Sequence, residues 1–168
     1  CAGRWGLAYG LLWMATLAKF WPVLLFPLFW RHGGRIRAAL AWTPLAALIA
    51  LPYAAGWAGL GRLLSGFLAG WTNNASLFHA VYAVAGRDFE QARPLAAVLV
   101  LAITGVIAWR RPPLPLGALA TVAGLLFVSA NCFPWYLVWM VPLLAVHPNA
   151  ALLLWTALVP LAGMDVYL

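Results

Sequence analysis

Acidic residues are nearly missing. Three Asp and Glu stand in 168 residues against ten Lys and Arg, and charged residues make up 8% of the chain, where a soluble domain has roughly 25%. A water-soluble globule needs far more polar surface, so a soluble enzyme is excluded. Disorder is excluded from the other side, because 66% of the residues are hydrophobic and disordered chains are not. Cysteine is scarce too. Cys1 and Cys132 form no CxxC and no Cys/His ligand spacing, so a zinc site has no basis and nothing suggests a disulfide. There is no P-loop, no HExxH and no GxSxG. Gly59-Leu60-Gly61-Arg62-Leu63-Leu64 starts like a dinucleotide fingerprint, but Leu stands where the third glycine belongs and no strand precedes it. The carboxylates are Asp88, Glu90 and Asp165. Asp88 and Glu90 read as solvated partners of Arg87 and Arg93. The segment therefore holds no complete catalytic set. No cofactor is evident, and metal dependence stays open.

What is present is apolar length. Mean hydropathy is +0.94, and Asp, Glu, Lys and Arg are missing from Ala38 to Gly61, from Pro94 to Trp109 and from Pro112 to Met164. About 20 apolar residues cross a hydrocarbon core, so the last stretch holds more than one span, divided by Pro134, Pro142, Pro148 and Pro160. The net charge is +7 and the pI near 10.3. Such a balance raises nucleic acid as a partner, but here the basic residues punctuate apolar runs, as loop charges of a membrane protein do. No nucleic-acid partner is expected; the bilayer is. Cys1 in place of Met leads us to expect a segment of a longer protein, with no signal peptide visible.

The expected fold is all-α: one polytopic membrane domain over 1–168, with six or seven short membrane helices and interfacial helices in an outer loop. The region from Trp5 to Trp30 is either one kinked helix of about 26 residues or two short helices meeting at Lys19–Pro22; the broken form is preferred, because Pro removes a donor and clashes backward. Residues 31–37, with three arginines and two glycines, form a turn that the positive-inside rule puts in the cytoplasm. A span from Ala38 to Tyr53 leads outward. Residues 54–91 form the outer loop, in which Leu63, Leu64, Phe67 and Leu68, and then Leu77, Phe78, Val81 and Tyr82, recur at helical spacing and suit helices lying on the membrane surface. A span from Arg93 to Trp109 returns to a second cytoplasmic turn, 110–113. Leu114–Ala130 goes out, Asn131–Tyr136 turns outside, Leu137–Val146 goes in, and a last span follows His147-Pro148-Asn149. The expected location is the bacterial inner (plasma) membrane.

Several residues are candidates for binding. Lys19, inside an apolar run, either holds a lipid phosphate or snorkels to the interface. In Trp71-Thr72-Asn73-Asn74-Ala75-Ser76, the amides of Asn73 and Asn74 beside an indole suit sugar hydroxyls and a sugar face; as alternatives they cap a helix or form a glycosylation sequon at Asn74. His79 is a local base or a packed ring. Asn131 before Phe133-Pro134-Trp135-Tyr136 makes a shaped outer turn, with Trp135 and Tyr136 as groove walls or interfacial anchors. Arg62 and Arg93 are outer-face cations.

These residues carry a resemblance. Leu17-Ala18-Lys19-Phe20-Trp21-Pro22, followed by an apolar helix and the basic turn, resembles the Thr-Lys-x-x-Pro stretch of integral-membrane GT-C glycosyltransferases. Asn73-Asn74-Ala75-Ser76-Leu77-Phe78 looks like the Asn-x-Ser-Leu-Phe of their outer loop. Phe133-Pro134-Trp135-Tyr136-Leu137-Val138-Trp139-Met140-Val141-Pro142 is similar to the HPWYLLWLLP run of the polyprenol-phosphate-mannose-dependent branch, with Phe133 where many members have His. The resemblance implies transfer of a hexose, mannose-like, from a polyprenyl-phosphate sugar to an extracytoplasmic glycan or glycolipid acceptor. It also implies a catalytic acid or base in a first outer loop upstream of Cys1, so that this chain is the C-terminal part of such an enzyme, with no catalytic residue of its own. A transporter or flippase segment, or a membrane scaffold, is the alternative.

Overall fold

The computed structural model describes residues 2–56, 59 and 72–162. Those residues are helical, joined by turns, with no β-strand among them. The chain divides into two compact units, Cys1–Leu68 and Ala69–Leu168.

In the first unit, the Ala2–Ala18 helix ends where its last backbone bond, Lys19 N–H to the Ala15 carbonyl (2.9 Å), is made. Pro22 then opens a 3₁₀ turn, Trp21–Leu25, and Pro27 opens a short helix, Phe26–Arg31. Each proline sits in a first turn, where its missing N–H costs nothing. The chain reverses here, so the broken form holds and Lys19 lies exposed at the reversal. Trp5, Tyr9 and Trp13 recur every four residues on one helix face. That face meets Phe29 and Phe26: Trp5 on Phe29 at 6.0 Å edge-on, Tyr9 on Phe26 at 5.8 Å, and Trp13 on Phe26 at 5.2 Å edge-on. Such pairs contribute about 0.5–1.5 kcal/mol each beyond their buried area. After the basic turn the chain is helical from Ile36 to Gly56, with its last turn 3₁₀. Trp42 donates to the Gly6 carbonyl (2.9 Å) and Trp13 to the Ala39 carbonyl (3.0 Å). Gly10 permits that approach, since a Cβ there would stand 2.7 Å from the Trp42 ring.

The second unit is built on a helical hairpin. Asp88 begins it by accepting from the Glu90 N–H (2.8 Å), an N-cap. Asp88 thus serves the helix end rather than pairing with an arginine as expected. The Phe89–Arg110 helix buries Ala92, Ala96, Val100, Thr104 and Ala108, a stripe of period four that lets a partner come close. The partner is Leu114–Val128. At Gly124 a Cβ would stand 2.9 Å from Ile103 Cγ2. Arg111 takes the left-handed conformation (φ 50°) and Pro112-Pro113 stop the helix. Leu77–Val84 packs against both arms. Beyond the hairpin, the single span expected over Leu137–Val146 is two pieces, a 3₁₀ turn Pro134–Trp139 and a helix Val141–Val146, each with proline near its start. Asn149 caps the final helix, Ala150–Ala162, by accepting from the Leu152 N–H (3.0 Å).

Two described helices are long and apolar enough to cross a membrane, Ile36–Gly56 with 21 residues and Phe89–Arg110 with 22. At 1.5 Å per residue both reach a little over 30 Å. Leu114–Val128 and Ala150–Leu161 are apolar but shorter. Both long helices leave large side chains exposed, Leu48, Leu51, Val98 and Leu101 among them.

Candidate functional site

One end of the second unit gathers most of the candidate residues. The hairpin arms are joined by only residues 111–113, so Arg93 on the first arm lies at the far end, where the second arm runs out into Ser129–Tyr136. There Asn73 forms an isolated parallel bridge with Asn131. Asn73 N–H donates to the Ala130 carbonyl (3.0 Å), and Cys132 N–H donates to the Asn73 carbonyl (2.7 Å). Asn74 adopts φ 49°, a conformation Asn tolerates better than most residues. Its amide donates to Asn73 Oδ1 (2.8 Å) and to the Cys132 carbonyl (3.3 Å). Ser129 Oγ donates to the Asn131 carbonyl (2.8 Å) and accepts from the Asn131 N–H (3.2 Å). We call this arrangement the clasp.

The clasp settles how the asparagines are used. They are not caps: Ser76 stands at the N-cap of Leu77–Val84 without a side-chain cap bond. The Asn74 amide nitrogen, the atom a sequon would glycosylate, is engaged in two hydrogen bonds. Asn131 is 8% exposed, and its Oδ1 is buried without a partner among the described residues. Such an acceptor costs free energy until a donor reaches it. Cys132 is a free, fully buried thiol, and burial pushes its pKa up to about 11, which keeps it protonated and unreactive.

Arg93 lies over the ring of Phe89, with Cζ 5.5 Å from the centroid. Phe89 completes a trio with Tyr82 (4.5 Å) and the buried Phe78 (6.2 Å). Sequence reasoning missed this partner, although Phe89 and Arg93 are four residues apart and so share a helix face. A cation over an aromatic face gains about 0.5–2 kcal/mol. The ring satisfies no N–H, however. Nε and Nη2 of Arg93 are buried and have no acceptor among the described residues. Two unanswered donors on a permanent cation suit an anion.

An aromatic ladder follows the clasp. Trp135 is exposed and stacks on Phe133 at 4.6 Å with planes 5° apart. Tyr136 meets Phe133 edge-on at 5.7 Å and stacks on Trp139 at 4.7 Å. Phe133, where the resembled family often has His, thus supplies a ring face rather than a polar group.

The other candidates lie elsewhere. His79 is exposed on the Leu77–Val84 helix, whose Phe78 faces inward. Lys19 belongs to the first unit. Arg62, with Leu63, Leu64, Phe67 and Leu68, falls outside the described residues. No group of three His, Cys, Asp or Glu side chains gathers among the described residues. Comparison of the chain with protein-family models, with curated proteins and with solved structures finds no match.

Proposed function

We propose that the chain is a membrane-embedded part of a GT-C-type glycosyltransferase that moves a mannose-like hexose from a polyprenyl-phosphate donor to a glycan or glycolipid acceptor outside the cytoplasm. The observation that carries it is Arg93. Two buried guanidinium nitrogens with no acceptor among the described residues stand at the hairpin end that also holds the Asn73–Asn131 clasp and the Trp135 ladder. In this reaction an acceptor hydroxyl attacks the anomeric carbon, and the bond from that carbon to the phosphate oxygen breaks. The hydroxyl proton passes to an Asp or Glu supplied upstream of this chain, and polyprenyl phosphate leaves with its charge. Arg93 stabilises that leaving charge, Asn131 Oδ1, the clasp acceptor with no partner among the described residues, takes a sugar hydroxyl, and the ladder presents ring faces to the sugar.

The accompanying topology is six or seven helices in a bacterial inner membrane, short ones included, with residues 54–91 outside and turns 31–37 and 110–113 inside. Asn73 and Asn131, assigned to the same side by sequence, touch; Arg110 and Arg111 lie at the opposite end of the hairpin. Lys19 is a second candidate for carrier phosphate, at the reversal of the first unit.

The test is hexose transfer from a polyprenyl-phosphate sugar in membranes carrying the complete reading frame. Removing one preorganised charged donor costs about 10²–10³ in rate, so Arg93→Ala should fall by that order while Arg93→Lys keeps part of the activity. Undiminished transfer by Arg93→Ala removes Arg93 from the site. A second reading, a transporter or flippase segment, is favoured by the discontinuous helix at Pro134–Val146, a device transporters share. Substrate flux without sugar transfer selects it.

A further inference from the structure

The first unit carries a basic turn that the sugar chemistry does not use. Residues 31–37 read Arg-His-Gly-Gly-Arg-Ile-Arg, and no Asp or Glu precedes Asp88 anywhere in the chain. The unit therefore has no carboxylate of its own to set against Arg35 and Arg37, both of which are exposed. The turn is nevertheless tightly built. His32 N–H donates to the Leu28 carbonyl (3.1 Å), Gly33 N–H to Trp30 (3.2 Å) and Gly34 N–H to Phe29 (3.1 Å). Gly33 has φ 96°, open to glycine at no steric cost. Gly34 is buried so closely that a Cβ would stand 2.5 Å from Tyr9 Oη and 2.8 Å from the Phe29 carbonyl. The two arginines are thus displayed by a fixed backbone. Around them Trp30, Ile36 and Leu40 are 59%, 51% and 59% exposed, and the apolar Ile36–Gly56 helix starts at this point.

We propose that this turn binds the phosphodiester headgroup of an anionic phospholipid. Arg35 and Arg37 take the phosphate at headgroup depth, while Trp30, Ile36 and Leu40 enter the acyl boundary beneath it. The apolar flank selects a lipid over a soluble phosphate, because an exposed pair of arginines holds a free ion weakly, whereas a bilayer presents the phosphate at high local density with acyl chains attached. The site rests on the membrane-embedded part of the proposed function and not on sugar transfer. Each arginine near an anionic surface contributes about fivefold in affinity.

The test is lipid retention by the purified chain after release from bilayers of equal phosphatidylglycerol and phosphatidylcholine, read by native mass spectrometry. The wild type should retain phosphatidylglycerol preferentially. Arg35→Gln with Arg37→Gln should lower that preference by about twenty-five-fold, with helicity unchanged by circular dichroism because both side chains are exposed. Arg110→Gln with Arg111→Gln should leave most of it. An equal loss in both double variants, or none in the first, overturns the site. Competition by millimolar glycerophosphoglycerol as effective as that by the lipid overturns the lipid as its ligand. A chain that stays out of the bilayer sinks the membrane reading and the site together; insertion without lipid preference sinks the site alone.

Discussion

Asn74 offers the sharpest perturbation, because its side chain and its backbone act separately. Asn74→Gly removes the amide bonds to Asn73 Oδ1 and to the Cys132 carbonyl and keeps the positive φ free of strain. Two hydrogen bonds of ordinary net value amount to about 1–2 kcal/mol, or roughly five- to thirtyfold in the population of the opened clasp. Asn74→Ala removes the same bonds and adds about 1 kcal/mol of left-handed strain. Cys132 reports the opening. It is fully buried beside the bridge, and its pKa of about 11 against 9.0 for a free thiol lowers its thiolate fraction near neutral pH by about a hundredfold. The assay is the maleimide labelling rate of Cys132 in a Cys1→Ser background. The order expected is wild type slowest, then Asn74→Gly, then Asn74→Ala. Labelling of Asn74→Gly at the wild-type rate refutes the view that the Asn74 amide holds the clasp shut. Equal rates for Gly and Ala refute the backbone component alone.

The same thiol gives a pH dependence. Its folded pKa is raised, so the opened state loses the proton first; stability holds below pH 9 and falls as pH rises from about 9 to 11, by up to roughly 2–3 kcal/mol. Chemical unfolding of wild type and Cys132→Ala should diverge over that window, and parallel curves would contradict it. In the first unit, Gly34→Ala drives a methyl against Tyr9 Oη and the Phe29 carbonyl and should cost about 1–3 kcal/mol. Tyr9→Phe removes a buried hydroxyl that has no partner among the described residues, so it should be close to neutral alone and should recover part of the Gly34→Ala loss in a double-mutant cycle. Additivity of the two would show that the hydroxyl is not the obstacle.

Helix content and most helix limits were legible in the residues. The spans expected over Ala38–Tyr53, Arg93–Trp109 and Leu114–Ala130 appear as helices Ile36–Gly56, Phe89–Arg110 and Leu114–Val128. Uninterrupted apolar length and the flanking arginines and prolines mark such limits without any knowledge of packing. Pro22 marked the break at Lys19 for the same local reason. Pro142 marks a second break by the same rule, which divides the expected Leu137–Val146 span between the Pro134–Trp139 turn and the Val141–Val146 helix.

The candidate site was legible as residues but not as an arrangement. Sequence alone determined that this chain is apolar, helical, basic at two turns and polar around Asn73 and Asn131, since composition and periodicity are local properties. Whether the Asn74 side chain capped its own helix or reached a segment 58 positions away is a choice between a local and a distant hydrogen bond, and the sequence near Asn74 serves both. Only the tertiary structure decided it. The small-residue stripe of Phe89–Arg110 lets Leu114–Val128 pack close, the three-residue turn fixes which ends meet, and the second arm then delivers Ala130–Cys132 to Asn73. The same hairpin puts Arg93 at that end, where its side chain meets Phe89 and its Nε and Nη2 find no acceptor among the described residues.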